Sequence, residues 1–268
     1  MPRVRAFLAL IAALCSLTAA GAARADDSVD VELVLAVDVS YSMDLDELAL
    51  QREGYMQAVT SPEFLRALRL GPNGRIAIAY VEWAGADEQK LVVDWTLVGS
   101  AREARAFAAA IGAAPLRRVY RTSISSAMTF SADLIEGNGI RGLRRVIDIS
   151  GDGTNNQGPL VDVTRDAIAA RGITINGLPL MLKQATGSLL DIGDLDIYYE
   201  DCVIGGPGAF VIPVRGPHEF ADAIKTKLVL EIAGIRPPEA ALIRPASSAE
   251  PRVSCSIGER MWMERWGN

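Results

Sequence analysis

The stretch LVLAVDVSYSMDLDE, Leu33 to Glu47, ends an apolar run on Asp38 and then places hydroxyls at alternate positions, Ser40 and Ser42. Two further oxygen donors stand at comparable places. Thr122, in RTSISSAM, opens a helical pattern, and Asp152, in DISGDGTNN, follows a second apolar strand pattern. Together these residues offer two carboxylates and three hydroxyls. Hard oxygen donors of this kind suit Mg²⁺ or Mn²⁺ with water completing an octahedron; Ca²⁺ accepts them but prefers more. Each piece alone has a plainer use, because Asp, Ser and Thr also cap helices by accepting the free N–H groups of the first turn. Their shared placement, each at a strand end or helix start, favours one metal site over separate caps.

The elements that would position them follow from the pattern of apolar residues. VELVLAVD (Val31 to Asp38) is continuously apolar, as a strand buried on both faces should be. A helical pattern runs from Leu45 to about Leu70, interrupted near Ser61-Pro62, and the turn cluster Gly71-Pro72-Asn73-Gly74 follows. Arg75 to Ala84 and Lys90 to Val98 read as a hairpin. Ser100 caps a helix to about Ile111, and another helix follows Thr122. Leu143 to Ser150, Gly172 to Leu180 and Ala209 to Val214 read as strands. Leu160 to Arg171, Leu189 to Val203 and Pro217 to Ala233 read as helices. This alternation predicts an α/β fold: a doubly wound, mainly parallel sheet with helices on both faces and one antiparallel edge strand. In such sheets ligands bind beyond the carboxyl ends of the strands, where Asp38 and Ser150-Gly151-Asp152 fall. From Gly234 the pattern stops, and residues 234–268 read as a Pro/Ala/Ser-rich C-terminal tail.

The chain of 268 residues opens MPRVRAFLALIAALCSLTAAGAARADD. Arg3 and Arg5, the apolar run Ala6 to Ala20 and the A-x-A site Ala23-Arg24-Ala25 make residues 1–25 a secretory signal peptide. The run is short for a membrane span of about 20 residues, and Leu14 before Cys15 disfavours a lipid anchor. The expectation is a periplasmic or secreted protein, not inserted in the membrane after cleavage. Losing three arginines would deepen the net charge from −6 to −9, which argues against a nucleic-acid partner. Cys202 and Cys255 remain, either as one disulfide or as two free thiols; sequence does not give their separation.

With these pieces in place the chain resembles a von Willebrand factor type A domain, whose metal-ion-dependent adhesion site has the pattern D-x-S-x-S … T … D. The matching residues are Asp38, Ser40, Ser42, Thr122 and Asp152. The resemblance covers roughly Val31 to Ala233, so 26–233 is the expected domain, with a Rossmann-like arrangement. RTSIS, ISGDGTNN and CVIGGPGAF make the chain similar, more narrowly, to an exported bacterial group of unknown function (DUF1194-like). The resemblance implies that Ser40 and Ser42 bind the metal through their hydroxyls and Thr122 directly or through water. Asp38 and Asp152 would act mainly through water, or as acceptors that orient the serines. Many members read T-D-G after the central strand; here Ser150-Gly151-Asp152-Gly153 has one residue more. Asp152-Gly153 is the match, with Asp148, inside the strand, as the alternative. A metal held mostly by neutral hydroxyls keeps excess positive charge and an open position. An Asp or Glu side chain of a protein partner can complete the shell, which makes an adhesion-type binding module rather than an enzyme.

The rival readings are a metal-dependent hydrolase and a structural domain with a vestigial site. Ser150 stands where a D-x-D-G-T phosphatase motif needs its first Asp. The single histidine, His218, starts the last helical pattern, and neither a G-x-S-x-G elbow nor a phosphate loop occurs. Asp191, Asp194, Asp196, Glu200 and Asp201 could rim the metal face or bind Ca²⁺, or form a solvated, helix-capping face. Gly205-Gly206-Pro207-Gly208 reads as a turn. Trp262 and Trp266 either pack back on the domain or dock a partner. Amino-terminal sequencing of the protein from an envelope fraction is expected to begin at Asp26; a cytosolic protein retaining Met1 excludes export.

Overall fold

The computed structural model describes residues 28–182, 192–234, 244–245 and 251–267. The segment read as a signal peptide and Asp191 lie outside them. Among the described residues seven strands form one sheet: β1 (Ser28–Asp38), β2 (Ile76–Trp83), β3 (Gln89–Val98), β4 (Arg141–Gly151), β5 (Thr174–Pro179), β6 (Phe210–Val211) and β7 (Arg244–Pro245). Their spatial order is β3-β2-β1-β4-β5-β6-β7. The pairings β1–β2, β1–β4, β4–β5 and β5–β6 are parallel. The expected hairpin makes β3 an antiparallel edge. The stretch read as tail adds a second antiparallel edge, β7 on β6, which two residues between proline-rich flanks gave no periodicity to announce.

From β1 the chain steps one way to β2 and then returns to the other side of β1 as β4. The direction reverses there, so a crevice opens between the carboxyl ends of β1 and β4. Residues 31–38 are buried to the last side chain, as a central strand requires. Alternation along β1 feeds two cores. Leu33, Leu35 and Val37 pack against Tyr55 of α1 (Leu45–Thr60), Phe107 of α3 (Ala101–Ala113), and Ile224 and Leu228 of α7 (Phe220–Ala233). Val34 and Ala36 face Met128 of α4 (Ile124–Gly137), Ile168 of α5 (Val161–Ala170), and Tyr198 and Tyr199. Ser61 ends α1 and caps α2 (Pro62–Leu68) through Phe64 N–H, with Pro62 preset for the first turn. The helix read over Leu189 to Val203 is shorter among the described residues: one turn, α6 (Leu195–Tyr198), running into a π-helix, Tyr199–Val203. Within residues 251–267, α8 (Ile257–Trp266) forms. Among the described residues, no helix is long and apolar enough to cross a membrane.

Deep under α7 lies an ionic cluster. Lys227 Nζ sits 2.6 Å from Asp148 Oδ1 and 2.5 Å from Glu231 Oε1, with all three side chains essentially inaccessible. Asn176 donates to Glu231 at 2.9 Å. Burial pushes the Asp148 carboxyl up to about 7, against the lowering pull of Lys227. A carboxyl whose folded pKa exceeds its unfolded value holds its proton more tightly in the native state. The stability it contributes is complete below the unfolded value, about 3.9, and is lost as pH rises through the folded one. The unfolding free energy of the wild type minus that of Asp148→Asn, from urea titrations, is expected to decline between about pH 4 and pH 7 and to level off above.

Candidate functional site

The parallel register pairs Val37 with Ser150, so Asp38 stands beside Gly151 and Asp152 follows at the rim of the crevice. Asp38 is fully buried. Its Oδ1 accepts the backbone N–H of Ser40 at 2.6 Å, which folds the chain tightly over the strand end. Gln51 of α1 donates to the Asp38 carbonyl at 3.0 Å. Ser40 and Ser42 hydroxyls lie 2.7 Å apart, and Ser42 donates to Asp152 Oδ1 at 2.5 Å. Four of the five expected residues therefore form one continuous cluster.

Thr122 joins from the other side. Its N–H donates to Asn156 Oδ1 at 3.1 Å, and its carbonyl accepts Asn156 N–H at 2.9 Å. This exchange binds the loop before α4 to the loop after β4. A Cβ placed on Gly153 would lie 3.8 Å from Thr122 Oγ1, which measures how near the hydroxyl stands to the Asp152-Gly153 turn. Asp148 is elsewhere, engaged with Lys227 under α7.

Helix capping does not explain these residues. The cap of α1 is Asp44, in a reciprocal box with Glu47. The cap of α4 is Ser123, whose oxygen accepts Ser126 N–H. That work does not fall to Asp38, Ser40, Ser42 or Thr122. Electrostatically the cluster is unbalanced. Burial holds the Asp38 pKa well above the ordinary carboxylate range, and the charge of Asp152 raises it further, while N–H groups of Ser40 and Asp152 pull the other way. Asp38 Oδ2 is buried with no hydrogen-bond partner. Among the described residues, no three His, Cys, Asp or Glu side chains gather as a metal group; the donors here are two carboxylates completed by hydroxyls.

Around the rim, Tyr41 and Tyr120 stack face to face with centroids 4.3 Å apart, and the Arg118 guanidinium lies 4.0 Å over Tyr41. Both tyrosines are exposed.

Several side chains that hold the loops were not singled out from sequence. Asn155 is buried and accepts from Ser125 N–H and hydroxyl, while its amide reaches Gln157 and Pro159 carbonyls. The only signal was two asparagines directly after D-G-T. Of the acidic group near residue 200, Asp194 is exposed, whereas Asp196, Glu200 and Asp201 are buried rather than solvated. Asp196 pairs with Arg215 at 2.6 Å, and Glu200 and Asp201 with Arg252 at 2.5 and 2.7 Å. Their burial demands paired cations. Cys202 and Cys255 form a disulfide with Cα atoms 5.3 Å apart. His218 is exposed, 3.8 Å from Glu219.

A family model described as "Protein of unknown function (DUF1194)" matches residues 28–236. No curated protein sequence matches the chain. Among solved structures, a von Willebrand factor type A protein from Catenulispora acidiphila is 13% identical with a TM-score of 0.52, over 76% of this chain and 43% of that one. Proximal thread matrix protein 1 from the mussel byssus, with a zinc-occupied MIDAS motif, is 13% identical with a TM-score of 0.54, over 84% and 49%. The vWF domain of the type V pili tip protein Mfa5 from Porphyromonas gingivalis is 12% identical with a TM-score of 0.53, over 80% and 98%. The chain spans under half the length of the first two. At these identities the likeness establishes the fold, that of von Willebrand factor type A domains.

Gly151 touches the site most closely. A Cβ there would fall 2.8 Å from Asp38 Oδ2 and 2.9 Å from the Tyr199 hydroxyl, whereas one on Gly153 meets only ordinary contacts. Gly151→Ala is expected to lower the unfolding free energy by about 1–3 kcal/mol, and Gly153→Ala to leave it nearly unchanged, in paired denaturant titrations.

Proposed function

The chain belongs to the DUF1194 family, and from that premise we propose that it is an exported, metal-dependent protein-binding module that captures an acidic side chain of its partner. The supporting observation is the unpartnered, buried Asp38 Oδ2 beside a second carboxylate, Asp152, with hydroxyls bridging them. That donor set fits a hard divalent ion, Mg²⁺ or Mn²⁺, better than a soft one, because every donor is oxygen. Such an ion, when bound, supplies positive charge and an open coordination position.

The chain's own residues do the rest. Ser40 and Ser42 present neutral oxygens and so leave the ion's charge largely uncompensated. Asp38 and Asp152 hold the serines in place and balance part of that charge. Thr122, tied to Asn156, stands at the side from which a ligand arrives. The exposed tyrosine pair and Arg118 give the rim flat apolar area and positive charge, complementary to an acidic segment. Structures of like fold include a pili tip protein and a thread matrix protein of the byssus, in line with recognition and export here. Recognition is favoured over hydrolysis because the five residues include no histidine, cysteine or lysine, and the one carboxyl with a raised pKa, Asp38, is fully buried, away from an arriving substrate.

Calorimetry with Mn²⁺ is expected to give one site, weakened about tenfold or more by Asp38→Ala, Ser40→Ala or Asp152→Ala. Affinity should fall as pH drops, because the raised Asp38 must lose its proton first. Capture of a partner from envelope extract should need Mg²⁺ or Mn²⁺ and cease in chelator. Unchanged affinity in all three variants rejects the site, and peptide or phosphoester turnover that depends on Asp38 rejects the recognition reading.

A further inference from the structure

Arg121, the residue before Thr122, has φ 79°, the one positive value at a non-glycine position among the described residues. A side chain in that region costs on the order of 1–3 kcal/mol and persists only where surroundings impose it. The surroundings are identifiable. The Arg121 guanidinium lies 3.4 Å from the centroid of the Trp262 ring, which is carried by α8.

That helix is itself fixed to the loop after β4. Glu259 accepts from Asn155 Nδ2 at 2.7 Å. Gly258 lies so close that a Cβ would overlap the Asn155 carbonyl oxygen. Just before α8, Cys255 is bonded to Cys202, and Arg252 spans Glu200 and Asp201. Tyr198 links the two parts again, since its hydroxyl meets Asn155 N–H at 3.1 Å and the Cys255 carbonyl at 3.5 Å. One appended helix therefore touches two of the three loops that carry site residues, that of Thr122 and that of Asp152, the third being the β1–α1 loop of Ser40 and Ser42.

We propose that α8 is a tethered clamp, with Trp262 as a positioning residue that holds Arg121 in its strained conformation and so sets where Thr122 stands in the site. The relation to metal binding rests on the function proposed above; the clamp itself does not. Trp262 acts through Arg121, while Glu259 and the disulfide keep the helix from lifting.

The full chain with its disulfide formed decides this, with MnCl₂ alone as the probe. Amide hydrogen exchange over residues 119–126, Mn²⁺ affinity and the thermal midpoint are measured together. Trp262→Ala should raise exchange at Thr122 and Ser123 about tenfold and weaken Mn²⁺ several-fold, with little change in midpoint; Trp262→Phe should restore both. In an Arg121→Gly background, adding Trp262→Ala should change nothing further, because glycine takes positive φ without help. If Trp262→Ala fails to fold, Glu259→Ala carries the test, with the same direction and a smaller size. Wild-type exchange in the Trp262→Ala variant, or an effect undiminished in the Arg121→Gly background, overturns the clamp. A wild-type chain that binds no Mn²⁺ overturns the metal reading instead, and the exchange result still decides the clamp.

Discussion

Two carboxylates meeting at the carboxyl ends of adjacent parallel strands set the terms for everything near them. Asp38 is buried because β1 is the middle of the sheet, and Asp152 is beside it because β4 is its neighbour in register. Like charges so placed repel, and burial raises the cost. The chain answers with what it has locally: N–H groups of Ser40 and Asp152 toward Asp38, and the Ser42 hydroxyl toward Asp152. One oxygen of Asp38 is still left over.

The surrounding loops divide their donors and acceptors in the same way. Asp44 and Ser123 take the capping duties next to the cluster, so residues nearer the strand ends keep their oxygens for one another. Asn155 and Asn156 satisfy the loop backbone from within. Asp38, Ser40, Ser42 and Asp152 are tied to one another at the strand ends, and the loop of Thr122 is fixed to the loop after β4 by an asparagine bridge.

The core of the candidate site was legible from sequence because local patterns specify it. An apolar run that stops on an acid marks a strand end, and alternate serines mark a tight turn. Asp148, kept in the sequence reading as the alternative to Asp152, lies inside the strand and is engaged with Lys227 instead. What was not legible depends on partners distant in sequence. The disulfide, the Arg252 bridge and the Trp262 contact join residues 50 or more apart, and no periodicity encodes such pairings. The short β7 and the single turn of α6 are likewise fixed by what they pack on, not by propensity.

The cluster of Lys227, Asp148 and Glu231 acts as a register pin. Sliding α7 along the sheet by one turn, about 5.4 Å, would carry Lys227 and Glu231 away together and leave the buried Asp148 carboxyl on β4 without its cation. The helix on that face is consequently locked lengthwise to the sheet, like a key in a slot. A shape change at the rim of the crevice that left this cluster intact would fall to the loops rather than to a slide of α7.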